Sequence, residues 1–330
     1  MKQELLDLLV CLRCRGKLRH EATRTDGREI VDGMIHCMAC GATFPVRDGV
    51  PRMVPDGLSS PERATARAFG QEWKTLSELS EVLHDEFASY LEPLSPADLR
   101  GLTVLDAGCG MGKFSFAAAS AGARAVVAVD LSEAVDVAYS HLRALPNAHV
   151  VQASIYDLPL RSETFDFVFS IGVLHHLPDP ERGFRDLVPL AAPGGRILVW
   201  LYALEGNETF IRVLDPFRVH LFSRLPAWVN RLVATLLAAP LWLIIRACYL
   251  PLARRGLAER LPYGPYFVYF SRLGFRTFWG TIYDKLVPPI SFYLSGPTIR
   301  RWLSSAGLIE VRLRHRNRNS WTCLARKNAA

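Results

Sequence analysis

Short apolar runs at 102–105, 125–129 and 165–170 are separated by stretches whose apolar residues fall three to four apart. Runs of that length, rich in β-branched and aromatic side chains, predict strands buried in a sheet. The alanine-rich stretch 114–121 predicts a helix between the first two strands. Strand and helix in alternation predict an α/β fold with a Rossmann-like, doubly wound sheet. Near the end, 308–313 and 321–325 read as a closing antiparallel pair, preceded by a helix over 297–305 with Pro297 at its first position. The link RHRNRNS between those strands reads as basic and exposed. At the other end, 16–20 and 29–36 alternate as short ribbon strands, and 51–61 (PRMVPDGLSSP) reads as a linker. A helical pattern then starts at Ser60-Pro61-Glu62 and runs through Phe69, Trp73 and Leu76. Phe69 and Trp73 are expected in the core, with closure over a ligand as the other use.

About 90 residues between Tyr202 and Gly296 exceed what such a sheet needs. Within them, LVATLLAAPLWLII (232–245) is almost unbroken in hydrophobicity. It falls short of the roughly 20 residues of a spanning helix. Pro240 interrupts it, and Arg231 and Arg246 bracket it, so a transmembrane helix is not expected. Three readings stay open: a helical lid over an acceptor pocket, an oligomer interface, or a helix lying in a membrane surface. In the last, Arg224, Arg231, Arg246, Arg254 and Arg255 would meet head groups.

Charge sharpens this division. The net charge is +7, but residues 210–330 carry 19 Lys and Arg against 4 Asp and Glu. The basic third should attract anions or simply be a solvated surface. No secretory signal is expected, because MKQELLDLLVCLRC mixes acids with its apolar residues. Four of the seven cysteines form two CxxC units, which points to a metal site in a reducing, cytoplasmic setting.

Cys11, Cys14, Cys37 and Cys40 offer two knuckles of two thiolates each, separated by 22 residues. Four thiolates suit a closed tetrahedral Zn2+ site of structural type. A redox pair is the rival, and two separated CxxC units argue against it. The stretches LLDLLVCLRCRGKL and CMACGATFPVRDGVPRMV resemble the zinc-ribbon family that includes the activator subunit of certain RNA and protein methyltransferases. Leu12 stands where that family usually has proline.

The stretch VLDAGCGMGKFS places Gly108, Gly110 and Gly112 at a strand-to-helix turn, where open α/β sheets bind ligands. The spacing fits neither GxGxxG nor a Walker loop. Asp106 at the strand end would repel a diphosphate and suit a cationic ligand. Asp130, at the end of the second strand, can accept both hydroxyls of a ribose. A ribose and a cation without phosphate describe S-adenosylmethionine. Helix capping or a turn is the structural alternative for both acids.

VLDAGCGMG followed by VVAVDLS, then VVQASIYDLPLRSETFDFVFSIGVLHHLPDP and APGGRILVWLY, resembles the class I S-adenosylmethionine-dependent methyltransferases, closest to the small-molecule, quinone and lipid subgroup. The resemblance implies that Asp106, Gly108, Gly110 and Gly112 face the amino-acid end of the cofactor. It implies that Asp130 holds the ribose, Leu131 flanks the adenine, and Ser154 and Ile155 lie at its edge. Ser154 replaces the family's usual aspartate. Ile171, His175 and His176 follow the fourth strand. A neutral imidazole there can take a proton from an attacking hydroxyl, or the pair can simply pack the loop. Tyr202 is an outside candidate.

The expected organisation is a zinc ribbon at 1–56, linker and helices at 57–100, the cofactor-binding core at 101–204, the insertion at 205–295, and the last helix and strands at 296–330. The expected function is methyl transfer from S-adenosylmethionine to a small-molecule, lipid or glycan acceptor, with oxygen as the methylated atom. Nucleic acid is the less expected partner, since the aromatics sit in apolar company and no Asn/Asp-Pro-Pro-aromatic tetrad follows the fourth strand. The alternative is an RNA or protein methyltransferase whose zinc ribbon and basic C-terminal region grip a macromolecule. Peripheral membrane contact would run through 224–255.

Overall fold

The computed structural model describes residues 1–329; Ala330, the last residue of the closing segment expected from the sequence, lies outside them. The first layer is a four-stranded antiparallel sheet, β1 (Leu18–Asp26), β2 (Glu29–Cys37), β3 (Thr43–Arg47) and β4 (Val50–Pro51). Helices α1 (Ser60–Thr75) and α2 (Leu83–Leu91) follow. A capping box starts α1: Ser59 Oγ accepts from Glu62 N, and the Glu62 carboxylate accepts from Ser59 N.

The second sheet alternates as the sequence predicts: β5 (Thr103–Ala107), α3 (Lys113–Ser120), β6 (Ala125–Asp130), α4 (Ala134–Leu142), β7 (Ala148–Gln152), β8 (Phe165–Ile171), α5 (Pro180–Leu187) and β9 (Ala191–Tyr202). Six short helices fill the insertion: α6 (Glu208–Val213), α7 (Asp215–His220), α8 (Ala227–Ile244), α9 (Leu250–Arg254), α10 (Gly264–Leu273) and α11 (Phe275–Asp284). Helix α12 (Gly296–Ser305) leads into β10 (Ile309–Arg316) and β11 (Ser320–Arg326). The seven strands lie in the order β10-β11-β9-β8-β5-β6-β7. Pairs among β5 to β9 are parallel, while β11 runs antiparallel to both β9 and β10. The chain winds from β5 outward through β6 and β7, then returns to β8 on the other side, so the topological switch lies beyond the carboxyl ends of β5 and β8.

The ribbon and the large sheet share one hydrophobic cluster, in which Leu5, Leu9, Ile35 and Phe44 meet Leu105, Val127 and Val151. Backbone bonds join them too: Val10 N donates to Pro159 O (2.9 Å), Met53 N to Gln152 O (2.8 Å).

The apolar stretch at 232–245 is longer in structure than in sequence. Helix α8 continues through Pro240, then through a π-type turn and α9, giving one helical segment of 28 residues from Ala227 to Arg254, long and apolar enough to cross a membrane by length and composition. Proline breaks a helix by removing an N–H and crowding the preceding turn. Here the axis is maintained on one side by Ala234, Ala238 and Ile245, which pack against α10 and α11. Trp228, Leu232, Leu236 and Leu243 on the other side are exposed. The link in the closing hairpin is also less open than expected: Arg316 is buried, its guanidinium sandwiched between Tyr90 and Tyr269.

Candidate functional site

A cavity of about 780 Å³ opens at the switch point. Its floor is the glycine loop, Asp130 to Ser132, Ser154 and Ile155, and the segment 171–173 after β8. Its roof is α1, through Thr65, Phe69, Glu72 and Trp73, together with α10 and α11 of the insertion. Phe69 and Trp73 therefore close over the cavity. The insertion is divided in its contacts: Tyr266, Phe270 and Asp284 face the cavity, while α8 lies outside.

Positive φ angles at Gly108 (91°) and Gly110 (53°) shape the loop. A Cβ on Gly108 would lie 2.4 Å from Val173, and one on Gly110 2.8 Å from the Trp73 indole. The loop is locked to β6: Gly110 N donates to one Asp130 oxygen (2.8 Å), and Ser132 N and Oγ donate to the other (2.8 and 2.6 Å). Burial raises the Asp130 pKa against these hydrogen bonds. The oxygen that accepts only the Gly110 N–H keeps a lone pair for a hydroxyl, while the other already accepts two bonds. Ser154 caps the short turn that follows it, accepting from Tyr156 N (3.2 Å), and Leu131 and Ile155 supply apolar walls.

Two residues of the glycine motif do other work. Asp106 does not line the cavity; it is buried toward α3, where its carboxylate accepts from Ser115 Oγ (2.6 Å). Burial, opposed by that hydrogen bond, lifts its pKa to about 7. Gly112 is also absent from the lining; a Cβ there would meet Ala138 at 3.0 Å, so it admits α4 against α3.

The paired histidines diverge. His175 is fully buried behind the cavity wall, its ring tilted against Tyr202 with centroids 3.9 Å apart, and neither ring nitrogen has a partner among the described residues. Burial holds its pKa well below the usual value. His176 lines the cavity. Its Nδ1 lies 2.7 Å from the Ile290 carbonyl, which can only accept, so the proton sits on Nδ1 and Nε2 keeps its lone pair. Burial lowers its pKa as well. Tyr202 lines the cavity and donates to Asp284 (3.1 Å). Sequence reasoning passed over Asp284 and Lys285, which stand in no motif, and gave no role to Ser115 at the end of the glycine stretch.

The four cysteines meet as predicted: their sulfurs all lie within 4.8 Å of one another, with Cys11–Cys40 at 3.6 Å and Cys14–Cys37 at 3.5 Å. A tetrahedral shell with Zn–S near 2.3 Å has edges of about 3.8 Å, so the set fits zinc. The N–H groups of Cys40 and Ala39 point at Cys37 Sγ and hold that thiol down to about 6. Gly16 packs against this cluster, where a Cβ would reach Cys14 Sγ at 3.2 Å.

Residues 105–199 match the methyltransferase domain family, and residues 2–49 match the Trm112p-like protein family. The chain thus carries a class I methyltransferase domain, whose cofactor is S-adenosylmethionine, behind a zinc-ribbon module. A tRNA U34 carboxymethyltransferase from Klebsiella pneumoniae is 35% identical over 121 residues, 36% of each chain. One from Pseudomonas aeruginosa is 37% identical over 128 residues, 37% of this chain and 39% of the relative. The chain thus matches a little over a third of the length of these relatives. A SAM dependent methyltransferase from Aquifex aeolicus superposes with a TM-score of 0.45 at 17% identity, covering 78% of this chain and 97% of that one.

These relatives overturn the small-molecule, lipid or glycan acceptor and the expectation that nucleic acid is an unlikely partner. The reasons for that expectation were too narrow. A missing Asn/Asp-Pro-Pro-aromatic tetrad bears on amino-group acceptors, not on other positions of a base. Exposed aromatic platforms belong to proteins that track a strand, whereas enzymes acting on a base draw it into a pocket and stack it there. Here Phe69, Trp200, Tyr202 and Tyr266 line the cavity.

Proposed function

We propose that this chain, a methyltransferase domain fused to a Trm112p-like ribbon, transfers a group from S-adenosylmethionine or a close derivative to RNA, with tRNA as the favoured class. The observation that carries this reading is the match, at 35–37% identity over 121 to 128 residues, to enzymes named for tRNA modification. The basic C-terminal third supports it, since phosphate contacts dominate affinity for RNA. In this reading Asp130 takes the ribose hydroxyls, Leu131 flanks the adenine, and Ser154 and Ile155 meet its edge. Gly108 and Gly110 admit the amino-acid end, and Ile171 borders the reacting methyl. His176 Nε2 takes a proton where the acceptor atom carries one, and His175 is its packing support.

The test is incubation of the protein with labelled donor and three fractions: tRNA from cells deleted for its gene, total protein and total lipid. Nucleoside mass spectrometry should find label in tRNA. Label confined to protein or lipid refutes the reading. In the same assay His176→Ala should lower turnover by on the order of a hundredfold, the usual scale of general-base catalysis. A near-wild-type rate removes the histidine from proton transfer.

A cytoplasmic enzyme of this kind would, in our reading, also rest on a membrane surface through α8 and α9. Residues 216–258 contain six arginines and no acid, around an exposed apolar face that includes Trp228, Leu236 and Leu243. Arg231 and Arg246 leave only about 21 Å of uncharged helix between them, less than the roughly 30 Å of a hydrocarbon core, which favours lying in the surface over spanning it. Vesicles containing anionic lipid should co-sediment the protein, and Trp228→Glu with Leu236→Glu should abolish this. Equal recovery with and without vesicles removes the membrane contact.

A further inference from the structure

One charged side chain in the roof of the cavity has no counterpart. Glu72 of α1 is 1% exposed, and neither carboxylate oxygen has a partner among the described residues. It lines the cavity beside the glycine loop: its neighbour Trp73 packs over Gly110, and the ring of Phe69, one turn earlier, lies tilted 5.0 Å from His176. The charged groups facing it are already engaged. Lys113, the first residue of α3, is paired with Glu86 at 2.9 Å, and Asp284 accepts from Tyr202 at 3.1 Å. Burial, with the Asp284 charge adding to it and Lys113 opposing, pushes the Glu72 pKa well up.

A buried carboxyl without a hydrogen-bond partner is costly, and ionising it there costs more still, unless a cation arrives to meet it. The group that fits is a cation small enough to enter with the ligand. We propose that Glu72 is the anchor for the α-ammonium group of the methyl donor, held against the roof while the nucleoside lies on the floor. This rests on the donor being S-adenosylmethionine or a relative that keeps its amino-acid end. Lys113, whose charge acts on Glu72, opens α3 directly after the glycine loop that the amino-acid end approaches. Below its raised pKa the ligand-free Glu72 holds a proton; when the ammonium docks, that proton leaves to solvent and an ion pair forms. Donor binding should therefore release a proton and tighten as pH rises towards the Glu72 pKa. Among the groups in its surroundings, Asp284 keeps Glu72 protonated to higher pH and Lys113 acts oppositely; the buried Tyr283 of α11 lies within its electrostatic reach, and His176 and Glu86 line the same cavity.

Two probes separate this from a structural role. S-adenosylhomocysteine carries the amino-acid end; 5′-methylthioadenosine has the same nucleoside without it. Glu72→Gln should weaken S-adenosylhomocysteine by at least about tenfold in calorimetry, the scale of one charge-assisted hydrogen bond, and leave 5′-methylthioadenosine unchanged. Wild-type calorimetry in two buffers of different ionisation enthalpy should show proton release with the first probe and none with the second, a readout that does not depend on the variant folding. Unchanged affinity in Glu72→Gln, equal weakening of both probes, or no difference in proton release between them overturns the assignment. A wild-type protein that binds neither probe instead brings down the donor reading itself.

Discussion

Changing Cys37 and Cys40 to serine should remove about one zinc per chain and lower the unfolding midpoint of the whole protein by at least roughly 10 °C. The first part follows from the four sulfurs, which already stand at the spacing of a tetrahedral shell. The second follows from where the ribbon sits. Structural zinc contributes on the order of 10 kcal/mol to the folding of a small module, comparable to the entire stability of a typical domain. In an isolated ribbon that loss would stay local. Here Cys11 and Cys37 are part of the same buried cluster as Leu105, Val127 and Val199 of the large sheet. Arg15, next to the first knuckle, donates to the carbonyls of Leu158 and Leu160, and Leu9 pairs with Leu160. Loss of the ribbon therefore uncovers one face of the methyltransferase sheet. Metal analysis and scanning calorimetry on the same samples check both parts; a metal-free variant with an unshifted transition would show the ribbon to be independent of the ion.

What the sequence makes legible here is whatever is repeated or clustered in it. Apolar runs placed β5, β6 and β8 within a residue or two, because parallel strands covered on both faces have no room for polar positions. The cysteine spacing placed the metal cluster because few other patterns put four thiols together. Direction was harder to read. Asp106 ends an apolar strand, and nothing in the surrounding pattern says whether its carboxylate turns to the cavity or to α3; Ser115, nine residues on, decides it. Gly112 looks like Gly108 and Gly110 in the sequence, yet it makes room for a helix and they make room for a loop and its cover. His175 and His176 are neighbours on one turn with their rings 4.2 Å apart, yet only His176 reaches the cavity. Glu72 is a charged residue in a helix that carries both polar and apolar positions, and nothing in the sequence announces its burial near Asp284 of α11, some 200 residues away in the chain. The length of the α8 segment escaped notice because Pro240 and Arg246 are ordinary stop signals, and only contacts with α10 and α11 keep the helix going past them.

Asp130→Ala should weaken both S-adenosylhomocysteine and 5′-methylthioadenosine by roughly ten- to a hundredfold, as expected for loss of one or two charge-assisted hydrogen bonds to the ribose the two share. Removing Asp130 also frees Gly110 N and Ser132, so the loop loses its tie to β6 at the same moment. Asp130→Asn separates these effects incompletely: one terminal atom becomes a donor and must face either Gly110 N–H or the Ser132 N–H, both of which are donors, so affinity should fall there as well. The pH dependence has a definite sign. Burial raises the Asp130 pKa, so as pH falls towards it the carboxylate takes up a proton, loses acceptor strength and releases the nucleoside. In Asp130→Asn that acidic limb should vanish, and whatever remains with S-adenosylhomocysteine alone belongs to Glu72. The two carboxylates thus leave different signatures: Asp130 is read by both nucleosides, Glu72 only by the one with an amino group. Calorimetry across pH on both variants would show whether floor and roof hold the two ends of one ligand; unchanged affinity in Asp130→Ala would remove the ribose from that carboxylate, whatever the outcome at Glu72.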